Sequence, residues 1–232
     1  MPLSSTPAAT PAVAVPEPRW QRRAQARPRE LLDAALAEFV TRGYAATRLE
    51  SVARRAGVSK GTLYLYYENK AELFKAVVRQ ALVANLDEAE ALAGAFEGDS
   101  RALLDALFTR FSRRVVQSDL SGIPKLVLAE AGNFPEIARF YHDEVVDRAR
   151  RLVVAILERG MARGEFRRVD PEHAWRVVVA PLIMAILWKH TFQSLAPGTL
   201  DFERHLDAHL DLLFRGLASS PAAGRHSKKD TP

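Results

Sequence analysis

The sequence predicts an all-α protein, and three observations support this prediction. Apolar residues recur at helical spacing along most of the chain, beginning with the run Leu31, Leu32, Ala35, Leu36 and Phe39. Residues typical of helix starts and helix ends separate one such run from the next. No alternating apolar and polar pattern lies between turn signals, as a half-buried strand would require. The runs form a short N-terminal group of three helices and a larger helical region after it.

Length and composition restrict the class further. The chain has 232 residues, of which 48% are hydrophobic, enough for a sizeable core. It contains no cysteine, which excludes disulfides and cysteine-ligated metals. Its formal net charge of +5 mildly favours polyanionic partners. The longest apolar run, 177–188, is too short to span a bilayer, and the N-terminus lacks the features of a signal peptide. We therefore expect a cytoplasmic protein.

Low-complexity ends flank the predicted helices. Residues 1–26 are predicted to be a disordered arm, rich in proline and alanine, with a basic end. That basic end has two interpretations: an arm that contacts phosphates or a minor groove, or a solvated run of charge. Residues 219–232 are predicted to be a disordered tail. Between these ends we place a helix-turn-helix domain at 27–72 and a larger helical domain at 73–218.

Two short helices around a glycine turn predict the helix-turn-helix. Thr47 and Glu50 have the spacing of a capping box, which predicts the start of the first of these helices. Gly57 follows where a helix commonly ends in the left-handed conformation. Ser59 is a good cap for the second helix, predicted at 60–67. In such a motif the second helix enters the major groove, and its first residues reach the base edges.

The flanking helices complete this unit. A first helix is predicted over 28–42, with a stop at Gly43. Asn69 is predicted to cap a fourth helix that runs without a break to about Gly94, with Glu72 at the capping-box position. Five more helices are predicted. The first begins at Asp99 or Ser100, the second spans 123–131, and the third runs from Asn133 to Arg163 with Pro135 in its first turn. The fourth runs from Pro171 to Phe192 with a kink at Pro181, and the fifth spans 200–217.

The helix-turn-helix resembles a known family. Residues 58–73 are similar to the recognition helix and following turn of the TetR/AcrR family of transcriptional regulators, and residues 39–47 resemble the end of that family's first helix. Together these matches cover 29–75. One departure is Tyr66, where the family often has histidine. Residues 126–141 are similar to the regulatory domain of the AefR-like subgroup.

This resemblance implies a homodimeric repressor that binds a palindromic operator and is released by a small, largely apolar molecule. Base contacts fall on the start of the recognition helix, backbone contacts on the turns around it, and Tyr67 is expected in the core. The residues assigned to DNA are Tyr44, Thr47, Arg48, Ser59, Lys60, Gly61, Thr62, Tyr64, Leu65, Tyr66 and Lys70. An alternative is a ligand-independent DNA-binding regulator whose C-terminal domain only dimerises.

The C-terminal region supplies candidates for a ligand cavity and a dimer interface. Its aromatic residues either fill a helical core or line an apolar cavity with a few polar groups. The candidate ligand residues are Phe108, Phe111, Asn133, Phe134, Tyr141, His142, Met184 and Trp188. The last two helices are apolar over faces wider than one neighbour covers, which indicates a two-fold four-helix bundle. The predicted interface residues are Trp175, Val179, Ile183, Leu206, Leu210, Leu213 and Phe214.

An enzyme is the remaining alternative, and the sequence argues against it. Residues 57–61 match the G-x-S-x-G nucleophile elbow, but a helix rather than a strand precedes the serine. His205 and His209 share a helix face, as zinc ligands can, but no glutamate sits beside the first of them. His142 and His190 have no acid–base partners at a persuasive spacing. We therefore predict no catalytic site, no metal and no cofactor.

Overall fold

In residues 19–195 and 198–219, which the computed structural model describes, the chain forms eleven α-helices and no strand. Single π-helical turns, Arg79–Val83, Ser112–Val116 and His142–Val146, continue three of these helices, and a 3₁₀ turn spans Asp119–Ser121. The helices are α1 Arg19–Ala46, α2 Leu49–Arg55, α3 Lys60–Tyr66, α4 Lys70–Val78, α5 Ala84–Ala95, α6 Ser100–Phe111, α7 Gly122–Glu130, α8 Pro135–Tyr141, α9 Asp147–Ala162, α10 Pro171–Thr191 and α11 Phe202–Leu217. The predicted all-α class is therefore confirmed.

Helix α1 is longer than predicted at both ends. It begins at Arg19, so the basic end of the segment 1–26 is helical where we expected disorder, and Pro28 lies inside the helix. The predictions for 1–18 and 220–232 lie outside the described residues. At Gly43 the backbone leaves helical geometry, with φ 81° and ψ 167°, where the sequence predicts the stop. Glycine adopts a positive φ at little cost, which permits this break. The helix then continues to Ala46.

The start of α2 corrects the predicted capping box. Arg48 occupies the N-cap position, and no side chain caps the helix there. The Thr47 hydroxyl instead donates back to the carbonyl of Gly43 at 2.7 Å and to that of Glu38 at 3.2 Å. The hydroxyl thus supplies a side-chain donor to carbonyls near the C-terminal end of α1, where a helix lacks backbone N–H donors. Thr47 therefore attaches α2 to the end of α1.

Several other helix boundaries agree with the sequence. Ser59, Asn69, Asp99 and Asp170 each accept a hydrogen bond from a backbone N–H in the first turn of the helix that they cap. Asn133 does not, because α8 begins at Pro135 with Phe134 at the N-cap position. No helix within the described ranges is long and apolar enough to cross a membrane.

The core does not divide at the predicted domain boundary between 72 and 73. One cluster of buried residues joins α1–α4 to α7 and α8, and it includes Phe39 and Phe74 together with Leu126 and Ile137. Helix α7 lies very close to α1, since a Cβ added to Gly122 would approach Val40 Cγ2 to 2.5 Å. A second cluster fills the space between α6, α9, α10 and α11. The first three helices are thus packed directly onto part of the larger domain.

Candidate nucleic-acid interface

The turn between α2 and α3 is held by local hydrogen bonds. Gly57 has φ 66°, and the Val58 N–H donates to the Ala53 carbonyl at 3.0 Å, which closes the end of α2. Ser59 Oγ accepts from the Thr62 N–H at 3.0 Å and lies 2.9 Å from the Thr62 hydroxyl. These bonds set the position of the first turn of α3, which presents the residues assigned to base contacts.

Helix α3 has one buried face and one exposed face. Leu63 is fully buried and anchors the helix, and Tyr67 at its end packs against the same core, as expected. Tyr64, Leu65 and Tyr66 are exposed. These three exposed residues, with Lys60, Gly61 and Thr62, form the surface that we call the recognition face. A cation and two phenol hydroxyls beside apolar groups suit both phosphates and base edges.

Two of the predicted DNA contacts are instead buried. Tyr44 is 3% exposed and Thr47 is 2% exposed, which corrects their assignment to direct backbone contact. The Tyr44 ring contacts Phe74, with centroids 5.5 Å apart, and Phe134, with centroids 4.7 Å apart. Burial, and then the charge of Glu136, raises the pKa of Tyr44 to about 12. Both residues shape the end of α1, which sequence spacing alone could not show.

Lys70 also differs from its prediction as a phosphate ligand. Its ammonium donates to the carbonyls of Tyr44 at 2.8 Å and of Ala45 at 3.0 Å, and lies 4.6 Å from the centroid of the Tyr44 ring. Burial lowers the pKa of Lys70, while the charge of Glu130 opposes that shift. Lys70 therefore holds the C-terminal end of α1 against the start of α4, where carbonyl oxygens without partners attract a cation.

Glu38 was not among the residues predicted from the sequence. Its carboxylate is almost fully buried, accepts from Arg55 Nη1 at 3.1 Å and lies 2.9 Å from Arg42 Nε. A buried carboxylate is tolerated when cations compensate it, and in return it positions two basic side chains at the contact of α1 with α2. The available signal was an acid four residues before an arginine on a helix rich in apolar residues.

The structure does not gather the candidate ligand residues into one cavity. Phe108 is buried and stacks on His209, Phe134 packs on Tyr44, and Phe111 and Tyr141 are partly buried in the cores. Burial raises the pKa of Tyr141 well above its ordinary value. The polar and outer candidates are exposed, namely Asn133, His142 beside Asp143, Met184 and Trp188.

Two open grooves lie elsewhere on the surface. One, of about 490 Å³, lies between α4 and α8, and its lining residues are Lys75, Pro135, Glu136, Arg139, Phe140 and Asp143. The other, of about 390 Å³, lies between α1 and the first π-helical turn, and its lining residues are Arg29, Leu32, Asp33, Leu36, Val77, Gln80, Ala81, Asn85 and Leu120. Neither includes a residue that we assigned to the ligand.

The histidines of α11 have a structural role. His205 Nε2 donates to the Pro181 carbonyl at 3.1 Å, and His209 Nε2 donates to the Val178 carbonyl at 2.9 Å. Both bonds join α11 to the part of α10 where Pro181 interrupts the helical hydrogen-bond ladder. In the ranges that the structure describes, no group of three or more histidine or carboxylate side chains could hold a metal ion.

The predicted dimer residues mostly face the interior of their own protomer. Leu206, Leu210 and Phe214 are buried, and the partly buried members are Trp175, Val179, Ile183 and Leu213. Other apolar residues on these helices are exposed instead. They are Val177, Met184, Trp188 and Leu212, exposed by 71%, 54%, 38% and 72%, and we call these four the outer strip. The predicted interface residues stay a prediction, and the outer strip is the more exposed apolar surface on the same two helices.

An all-helical chain with an exposed, cationic recognition face on a helix-turn-helix is a DNA-binding protein by class. Comparison with known families makes the assignment specific. Residues 31–77 match the model described as bacterial regulatory proteins, tetR family, and residues 93–201 match the tetracyclin repressor-like C-terminal domain. The chain belongs to the TetR family of transcriptional regulators.

Similar proteins agree with this assignment. The HTH-type transcriptional repressor KstR2 of Rhodococcus jostii is 30% identical over 193 residues, which cover 82% of this chain and 90% of that protein. FadR from Bacillus subtilis, solved in complex with stearoyl-CoA, has a TM-score of 0.69 at 20% identity, covering 82% of this chain and 98% of its own. The ketosteroid transcriptional regulator KstR2 of Mycobacterium tuberculosis has a TM-score of 0.67 at 22% identity, covering 84% and 96%. The predicted class, a DNA-binding regulator and not an enzyme, is confirmed.

Proposed function

We propose that the protein is a homodimeric repressor that binds a palindromic operator and is released from it by a small, largely apolar molecule. The observation that carries this proposal is the pairing of one recognition face per chain with an unpartnered apolar strip on α10 and α11. A two-fold dimer through that strip presents two recognition helices, and two-fold symmetry in the protein matches an inverted repeat in DNA.

The outer strip has the spacing of a helix–helix contact. Val177, Met184 and Trp188 are separated by seven and four residues, so they lie along one face of α10, and Leu212 extends the surface on α11. Contiguous exposed apolar surface of this kind marks an interaction site. Packing α10 and α11 against their copies would bury it in a four-helix bundle.

The recognition face supports a division of roles among its residues. Lys60 donates to guanine O6 and N7, Thr62 contacts a thymine methyl or a base edge, and Gly61 permits close approach. Tyr64, Tyr66 and Arg48 bind phosphates, which supplies position and affinity rather than sequence. Three residues act indirectly, without touching DNA, because they hold the end of α1 beside the helix-turn-helix: Tyr44, Thr47 and Lys70.

Release requires a connection from the regulatory domain to this interface, and α7 supplies one. Glu130 at the end of α7 accepts from the Ala45 N–H at 3.3 Å, and Phe134 packs on the Tyr44 ring. A shift of α7 or α8 therefore displaces the C-terminal end of α1. A ligand that favours a conformation with wrongly spaced recognition helices lowers operator affinity, and operator DNA lowers ligand affinity in return.

The ligand proposed for this chain is an amphipathic molecule with a large apolar part, such as an acyl-CoA thioester or a steroid. The stearoyl-CoA complex of FadR and the ketosteroid regulator KstR2 support this choice. We retain a second candidate function because the candidate ligand residues are dispersed and several of them fill the cores. In that alternative the regulatory domain dimerises without binding an effector.

Fluorescence-anisotropy titration tests the proposal. The full chain is titrated against its own upstream intergenic DNA and against a random duplex at several salt concentrations. We expect at least ~10³-fold tighter binding to the first and a steep salt dependence. Equal, weak binding to both duplexes would direct the search to genomic fragments selected by the protein, and failure to enrich any sequence there would contradict the proposal.

The same assay separates the two functions. Acyl-CoA thioesters of several chain lengths and steroids are added to the protein–operator complex. Release by an effector lowers the affinity by about 5- to 150-fold. If no compound changes it by more than about two-fold, the ligand-independent regulator is the better description.

A further inference from the structure

A carboxylate lies beside the recognition face, paired with its cation. Glu50, in the first turn of α2, forms an ion pair with Lys60, the first residue of α3. Both side chains are about half exposed, at 52% for Glu50 and 55% for Lys60, so water and DNA can reach the pair. The Lys60 ammonium also lies 5.7 Å from the centroid of the Tyr64 ring.

The pair stays ionised over the neutral range. The hydrogen bond to Lys60 lowers the pKa of the Glu50 carboxyl, and the hydrogen bond to Glu50 raises the pKa of the Lys60 ammonium. A negative charge near bound DNA works against affinity, because it repels phosphates and occupies a cation that would otherwise contact them. Glu50 therefore does not increase affinity for DNA, and its contribution is to selectivity between DNA sequences.

We propose that Glu50 determines sequence specificity by restraining Lys60. While Lys60 is paired with Glu50, its ammonium is not free to follow phosphates on arbitrary DNA. At the operator, guanine O6 and N7 lie in fixed positions where the ammonium donates to them through its two remaining N–H groups while it stays paired with Glu50, so removal of Glu50 gains little there. A repulsive or restraining element that penalises wrong partners is a general route to specificity. This inference rests on the DNA-reading function proposed above.

The test replaces Glu50→Gln, which keeps the shape of the side chain and removes its charge. Exposed ion pairs are weak, so the expected gain in affinity for random duplex is about three-fold. The slope of log affinity against log salt concentration for random duplex becomes steeper by about one, because one more cation reaches a phosphate. Operator affinity changes by less than about two-fold, and the ratio of operator to random affinity falls accordingly.

Two controls separate restraint of Lys60 from a general charge effect. Glu72→Gln removes the same charge from a partly exposed pair with Lys75 on α4, outside the recognition face, and leaves the ratio unchanged. Lys60→Gln is then combined with Glu50→Gln in a double-mutant cycle. If Glu50 acts through Lys60, the gain on random duplex disappears in the Lys60→Gln background.

Three outcomes overturn the inference: no gain on random duplex from Glu50→Gln, the same gain from Glu72→Gln, or a gain that persists without Lys60. Thermal unfolding of each variant confirms that folded proteins are compared. Failure of the proposed function itself is distinguishable, because the unsubstituted protein would then show no preferred DNA sequence at all.

Discussion

Helices α3 and α10 both expose aromatic side chains, but the two surfaces have different chemistry. On α3, the exposed Tyr64 and Tyr66 carry hydroxyl groups, and the Lys60 ammonium lies 5.7 Å from the centroid of the Tyr64 ring. On α10, Trp188 stands beside Met184 and is aligned with Val177. The first surface offers donors and positive charge to a polyanion, while the second gains only by excluding water. Exposure of aromatic residues therefore identifies an interaction surface, and the neighbouring groups identify the partner.

The largest effect is expected from placing a charge in the outer strip. Met184→Asp would bury an unpaired carboxylate in the proposed bundle, at a cost of several kcal/mol. At about 1.4 kcal/mol per tenfold, dimer association weakens by at least about 100-fold, and operator binding falls with it. Sedimentation velocity and anisotropy titration measure the two effects, and circular dichroism checks that the helices persist.

Leu128→Asp is the matched control, since Leu128 is also an exposed apolar residue but lies on α7. We expect it to leave the dimer intact. A Met184→Asp protein that remains dimeric would place the interface on another face and remove the difference drawn here between α10 and α3.

The next effect concerns base reading on α3. Thr62→Ala is expected to cost about 1–3 kcal/mol of operator binding and to relax the preference at one operator position, as is Lys60→Ala. Anisotropy titration against operators substituted one base pair at a time measures both quantities. Thr109→Ala on α6 deletes the same atoms far from the recognition face and serves as control. Equal loss on operator and random duplex would show that Thr62 reads no base.

A comparable but indirect effect is expected for Lys70. Lys70→Met removes two hydrogen bonds from an ammonium to the end of α1, so the free energy of unfolding falls by about 1–3 kcal/mol. Urea denaturation measures this, with Lys75→Met as control, because Lys75 forms a partly exposed pair with Glu72 and a contact with the Phe140 ring but no bond to the end of α1. Unchanged stability together with a salt slope shallower by about one would instead make Lys70 a phosphate ligand.

The smallest effect is a pH dependence between α10 and α11. Burial lowers the pKa of His209 below its ordinary value of 6.5, although the bond to Val178 opposes this shift. The unfolded chain therefore binds the proton more readily, and stability is complete above pH 6.5 and is lost as the pH falls from there through the folded-state pKa. His209→Gln should flatten this dependence, measured by thermal unfolding from pH 5 to 8.

His190, whose pKa is also lowered by burial, is the second contributor to that dependence and is left intact. A pH profile that is identical in the His209→Gln protein would show that His209 is not the titrating group. The hydrogen bond to Val178 and the stacking on Phe108 would then be its remaining roles.

The sequence predicted the helix-turn-helix well because its signals are local. Ser59, Asn69 and Gly57 act within a few residues of themselves, and each is found in the predicted conformation. Thr47 failed as a capping residue because Arg48, one residue later, occupies the N-cap position of α2, and the Thr47 hydroxyl donates to the end of α1 instead. Lys70 and Tyr44 were assigned by resemblance to DNA contact, whereas their partners come from α1, α4 and the turn before α8.

By itself the sequence determined the helical class, most helix boundaries and the motif that places the chain among DNA-binding regulators, because capping, glycine conformation and apolar spacing act over a few residues. Only the tertiary structure decided which face of α10 and α11 lies inward, that Phe108 and Phe134 pack in cores, and that Glu50 is paired with Lys60. A helix that is apolar on both faces has no local signal for its orientation. Contacts between helices depend on how distant segments pack, and neither spacing nor composition contains that information.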